Sequence, residues 1–143
     1  MTGGGVRLNG EYVPVQAIKI DEGFWSIEEN GVRCFLIEGD GRAMLVDTGF
    51  GTGDIKAFVQ KLTKLPIFLV NTHADGDHLG CNGMFDEVYM SPCEFDYYAA
   101  GGRDSSVLRP LWEGEIIDLG TRKFEVISIP GHTPGSIALL DSD

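Results

Sequence analysis

The sequence predicts an α/β sandwich with mixed sheets. Three observations carry this. Short apolar runs read as strands through the first half, helix–strand alternation follows, and the residues suited to chemistry sit in loops just after strands. At 43% hydrophobic residues the chain is globular, and its 143 residues bury on the order of two thirds of the unfolded surface.

Val15 to Ile20 alternates weakly and reads as the first strand. Phe24 to Glu28 and Val32 to Glu38 follow as strands. Gly39-Asp40-Gly41 separates the latter from Ala43-Met44-Leu45-Val46-Asp47, and an Asp-Gly turn between apolar runs signals a hairpin. Ile55, Phe58, Val59, Leu62 and Leu65 then fall at helical spacing, with Thr52 or Asp54 as cap and Pro66 as stop. Ile67 to Asn71 reads as a buried strand and Val88-Tyr89-Met90 as a short one. Pro92 opens a helix that runs to about Ala100, where Gly101-Gly102 ends it. Glu115 to Leu119 and Lys123 to Ile129 make a hairpin around Gly120-Thr121, and Ser136 to Leu140 is the last strand.

Composition excludes several functions. A net charge of −11 leaves no basic patch for nucleic acid and disfavours anionic membranes. The apolar runs, such as Pro66 to Val70, are too short to span a bilayer. Met1 to Gly5 lacks the apolar stretch of a signal peptide. Cys34, Cys81 and Cys93 contain no CxxC and are odd in number, which fits a reducing, cytoplasmic location. Without repeats, residues 1–143 read as one domain.

The segment His73-Ala74-Asp75-Gly76-Asp77-His78 holds two of the three histidines. The third, His132, lies in Pro130-Gly131-His132-Thr133-Pro134-Gly135. Imidazole and carboxylate are ligands of zinc and of non-haem iron. In extended backbone His73 and Asp75 point to the same side and can grip one ion, while Gly76 permits a turn that aims Asp77 and His78 at a neighbouring position. With His132 across the sandwich, the trio of two imidazoles and one carboxylate serves catalytic zinc or the iron facial triad. A metal there lowers the pKa of water to ~7, and Asp77 is the candidate catalytic carboxylate that orients that water or accepts its proton.

At these residues the chain resembles the metallo-β-lactamase superfamily, whose signature is His-x-His-x-Asp-His after a buried strand. A Gly-His-Thr-Pro-Gly loop, here Gly131 to Gly135, and an Asp-Thr-Gly at a strand end, here Asp47-Thr48-Gly49, complete the likeness in the right order. The resemblance implies an αββα sandwich with the metal site along one edge. It implies that His73 and His132 serve a first metal, that Asp77 and His78 serve a second, and that Asp47 supports a ligand without binding metal. The implied activity is a metal-dependent hydrolase of a small-molecule ester, thioester, lactone, amide or phosphoester, with one or two zinc ions. A β-lactamase activity does not follow from the family name.

Two departures qualify this. Asp75 stands where the family has its second histidine, and a harder oxygen donor accommodates iron or manganese better. Flavodiiron oxygen reductases resemble the chain in this, so a non-haem iron or di-iron oxidoreductase is the alternative; a metal-free binding domain is a third. The chain also stops at Asp141-Ser142-Asp143, before the strand, bridging carboxylate and last histidine that family members carry. The expectation is a domain whose C-terminal part is missing, binding metal weakly on its own.

Other signals count for less. A single Asp-Thr-Gly does not make an aspartic protease, and Gly49 to Gly53 fits neither a dinucleotide fingerprint nor a P-loop and reads as a turn. Cys81 is expected to be buried as a small apolar residue, and Trp25, Trp112, Tyr97 and Tyr98 to pack in the core.

Overall fold

The structure, a computed structural model, describes residues 3–8, 11–29, 31–51, 54–131 and 133–141, with the side chains described from Val15 onward. Strands β1 (Gly3–Leu8), β2 (Glu11–Asp21), β3 (Phe24–Glu29), β4 (Val32–Glu38) and β5 (Ala43–Val46) form an antiparallel meander. After helix α1 (Ile55–Gln60), strand β6 (Ile67–Val70) adds to β5 in parallel. Strands β7 (Val88–Met90) and β8 (Leu108–Pro110) continue in parallel, with helix α2 (Phe95–Ala100) between them. The large sheet therefore runs β1 to β8 in sequence order. Strands β9 (Ile116–Asp118), β10 (Lys123–Ser128) and β11 (Ile137–Asp141) form a second, antiparallel sheet with β10 in the middle.

The strands of the large sheet are apolar on both faces because both are covered. On β4, Leu36 faces one core and Ile37 the other; on β5, Leu45 and Met44 divide likewise, and on β6, Leu69 and Val70. One core takes Ile55, Phe58 and Val59 of α1 and Tyr98 of α2. The other takes Ile117, Phe124, Val126 and Ile137 of the small sheet. The layers are thus helices, large sheet and small sheet, and among the described residues no helix lies on the outer face of the small sheet.

Several local readings change. The glycine run forms β1: without side chains it has no periodicity to read, but its backbone pairs with β2. Strand β8 goes unread because it is three residues long and ends on Pro110, which an edge strand tolerates. Helix α1 ends at Gln60, five residues before the apolar spacing does. Lys61 and Leu62 N–H groups turn back to the Phe58 and Val59 carbonyls, and the Thr63 hydroxyl donates to Glu38 at 2.7 Å. Leu62 and Leu65 still pack on the core. Asp54 is the cap, its carboxylate accepting from the Ala57 N–H; Thr52 lies outside the described residues.

Candidate metal centre

The histidine cluster begins where β6 leaves the sheet. Val70 is the last strand residue, and Asn71 and Thr72 carry the chain past the end of β5. Asp47, the residue after β5, takes a positive φ of 68°, a left-handed conformation that Asp tolerates better than most residues. Its carboxylate, almost fully buried, gathers the neighbouring loop. Oδ1 accepts from the Thr72 N–H at 2.9 Å and from Asn71 Nδ2 at 3.2 Å. Oδ2 accepts from the Thr72 hydroxyl at 2.8 Å and lies 3.0 Å from His78 Nδ1.

This pattern fixes the tautomers of both rings. An ionised carboxylate only accepts, so His78 Nδ1 carries hydrogen. The Thr72 hydroxyl spends its one hydrogen on Asp47, so the 2.9 Å contact between Thr72 Oγ1 and His73 Nδ1 is donated by the ring. With Nδ1 carrying hydrogen, Nε2 is the nitrogen through which each ring can offer a lone pair. The hydrogen bond to Asp47, against burial, raises the pKa of His78 above its usual value.

The two Nε2 atoms face carboxylates. His73 Nε2 lies 3.6 Å from Asp75 Oδ2, and His78 Nε2 lies 3.8 Å from Asp77 Oδ2. The imidazole ring centroids are 4.4 Å apart. Residues 76–78 form one turn of 3₁₀-helix, which brings Asp77 and His78 round beside His73. Asp77 is the most solvated of the four, its side chain 45% exposed against 14% for His73. Among the described residues the donors stand as facing pairs, and no group of three or more His, Cys, Asp or Glu closes on one point. His132 lies outside the described residues.

Buried polar residues hold this loop in place. Thr48 donates its N–H to the His78 carbonyl, and its hydroxyl bonds Asn82 Oδ1 at 2.8 Å while accepting from the Cys81 N–H. Asn82 Nδ2 donates to Asn71 Oδ1 and to Tyr98 Oη. The Gly80 N–H donates to the Gly49 carbonyl, and a Cβ on Gly80 would lie 2.0 Å from Gly51 N, so the two loops meet backbone to backbone. The turn over Gly49 and Gly51 is thus packed against the cluster.

The second sheet joins at the same place. The Ile137 N–H of β11 donates to the Thr72 carbonyl at 2.9 Å. Glu94, wholly buried between β7 and α2, accepts from the Ala74 N–H and the Thr133 hydroxyl on Oε1 and from the Gly135 N–H on Oε2, at 2.8 to 3.1 Å. It ties the first histidine loop to the Gly-His-Thr-Pro-Gly loop. Sequence reasoning missed Asn71, Asn82 and Glu94, since a polar residue gives no sign that it is buried. The same limit worked in reverse for the aromatics. Tyr98 packs in the core, but Tyr97 is 50% and Trp112 61% exposed, correcting the expectation for both; consecutive helical residues point about 100° apart, so Tyr98 turns Tyr97 outward. Cys81 is buried as expected. An apolar cleft between the sheets, lined by Phe24, Phe35, Val46, Phe124 and Leu139, has Thr72 in its wall.

The donor chemistry fits a divalent cation. The Nε2 atoms and the carboxylate oxygens they face, at 3.6 and 3.8 Å, are too far apart to hydrogen bond. Ligand atoms about 2.1 Å from one tetrahedral zinc stand on the order of 3.4 Å apart, close to both separations.

The chain belongs to the metallo-beta-lactamase superfamily, whose family model matches residues 27–143. It is 28% identical to the human acyl-coenzyme A thioesterase MBLAC2 over 165 aligned positions, covering 84% of this chain and 59% of that protein. It is 32% identical to a hydroxyacylglutathione hydrolase of Xanthomonas axonopodis pv. citri, covering 73% of this chain and 40% of that one. The chain thus spans about half the length of these relatives. A class B3 di-zinc metallo-beta-lactamase from an Alaskan soil metagenome shares the fold, with a TM-score of 0.72, 21% identity and coverage of 88% of this chain and 56% of that one. Among the described residues no helix is long and apolar enough to cross a membrane.

Proposed function

We propose that the chain carries the metal centre of a hydrolase acting on a thioester of a small acyl group. The observation that carries this is the convergence of ligand types: two imidazole Nε2 atoms, their tautomers set by Asp47 and Thr72, turned toward the carboxylates of Asp75 and Asp77. Imidazole nitrogen beside carboxylate oxygen is a donor set that suits zinc. His73, Asp75, Asp77, His78 and His132 are the residues that would hold one or two ions, zinc foremost.

When bound, such a metal supplies Lewis acidity to water and to the scissile carbonyl. The chain's residues do the rest. Asp47 keeps the proton on His78 Nδ1 and, through Thr72, the proton on His73 Nδ1, so both rings stay fixed in orientation. Asp77, the most solvated carboxylate, orients the attacking water and accepts its proton. Thioester chemistry is favoured by the names of both relatives and by the apolar cleft beside Thr72, which suits an acyl chain.

A second possibility has one residue in its favour. Asp75 gives the site an extra oxygen donor, which suits iron and an oxidoreductase. Elemental analysis of the purified protein, with acyl-coenzyme A hydrolysis followed by thiol release, separates the two. Zinc with thiol release that is lost in His73→Ala supports the hydrolase. Iron with oxygen consumption and no thiol release supports the oxidoreductase, and no stoichiometric metal refutes both.

A further inference from the structure

Asp75 is held in an unusual way. It occupies the position before the 3₁₀ turn of residues 76–78, where an Asp side chain ordinarily caps the turn that follows, yet its carboxylate makes no capping bond. Its Oδ1 instead accepts from the Tyr97 hydroxyl at 3.0 Å, from a residue 22 positions along the chain. Its Oδ2 faces His73 Nε2 at 3.6 Å. One oxygen thus takes the tyrosine hydroxyl while the other is turned toward the histidine.

The direction of Tyr97 is set by the core. Tyr98 is buried, and its hydroxyl accepts from Asn82 Nδ2 at 3.3 Å, which fixes the rotation of α2. Its neighbour is thereby turned outward toward the cluster. Glu94, immediately before α2, anchors the start of the helix to the Ala74 backbone next to Asp75. A half-exposed tyrosine is in this way delivered to one carboxylate oxygen by two buried anchors.

We propose that Tyr97 is a positioning residue that holds Oδ1 of Asp75 and so keeps Oδ2 turned toward His73, in the orientation that serves metal. This rests on the metal centre proposed above. Tyr97 touches no metal itself and acts through the carboxylate. Losing a partner that orients a ligand lowers metal affinity by about 10- to 100-fold, and the exposure of Tyr97 puts the effect near the lower figure.

The test is titration of the metal-free protein with cobalt(II), read by its visible absorption, beside urea unfolding of the same metal-free samples. Tyr97→Phe keeps the ring and removes the hydroxyl; Asp96→Asn alters a neighbouring exposed residue as a control. The expected result is cobalt affinity about tenfold lower and a changed spectrum in Tyr97→Phe, an unchanged urea midpoint, and Asp96→Asn titrating as wild type. Affinity within twofold of wild type with the same spectrum overturns the proposal. So does a loss of affinity matched by a fall in the urea midpoint, which is structural damage. Wild-type protein that binds no cobalt refutes the metal centre as well, a different failure from a Tyr97→Phe variant that binds normally.

Discussion

Replacing Glu94 by glutamine tests whether one buried carboxylate joins the two histidine loops. The side chain is wholly buried and accepts three hydrogen bonds, two on Oε1 and one on Oε2. Glutamine has nearly the same shape. Its amide oxygen can replace Oε1 and keep the Ala74 and Thr133 bonds, but its NH₂ then meets the Gly135 N–H, donor against donor. One buried N–H is left unsatisfied, which costs about 1–3 kcal/mol. Turning the amide over is worse, since it abandons two donors. Alanine removes all three bonds, with an expected cost above about 3 kcal/mol. With a urea slope of roughly 1–3 kcal/mol per M for a domain of this size, Glu94→Gln lowers the unfolding midpoint by about 1 M. Equilibrium urea unfolding of metal-free protein is the assay. A shift below about 0.2 M in Glu94→Gln would mean that water satisfies the loop as well as the carboxylate does, and that Glu94 does not hold the two loops together.

Asp47→Asn is expected to lower metal affinity about 10- to 100-fold, because an amide no longer enforces the Nδ1–H tautomers of His73 and His78; equilibrium dialysis with zinc checks it, and unchanged affinity would refute the tautomer argument. Asn tolerates the positive φ at this position, so the fold should survive the change. Gly80→Ala drives a Cβ into the backbone of Phe50 and Gly51 and should cost at least about 2 kcal/mol, seen as a lower melting temperature or loss of soluble protein; a wild-type melt counts against the close loop contact. Of the three thiols, only exposed Cys93 should react with a disulfide reagent in folded protein at pH 8, with Cys34 and Cys81 reacting after unfolding; rapid reaction of all three refutes the burial. Burial, then nearby Asp47 and Glu29, pushes the Cys34 thiol far up, and burial raises Cys81. Their stabilising effect is complete below the ordinary thiol pKa of about 8.5 and declines above it as the unfolded chain loses protons first, by up to about 1.4 kcal/mol per pH unit for each thiol. Urea midpoints at pH 8 and 10 should therefore fall less in Cys34→Ala than in wild type; equal falls would remove Cys34 as a cause.

Much of this protein is set by its sequence alone. Apolar runs of strand length, the Gly39-Asp40-Gly41 turn and the spacing from Ile55 to Val59 specify local elements, because each depends on neighbours in the chain. The segment His73 to His78, with Asp47 and the Gly131 to Gly135 loop, lies within residues 27–143 that match the family model, and its likeness is legible because it is carried by residue type and order. Burial and partnership belong to the tertiary structure. That Asp47 sets two histidine tautomers, that Glu94 bridges loops from opposite sheets, and that Tyr97 turns outward while Tyr98 turns in all depend on contacts between residues 16 to 41 positions apart. A carboxylate in a sequence reads the same whether it meets water or three N–H and O–H donors. Only the folded chain decides which, because only there is water removed and the partner supplied.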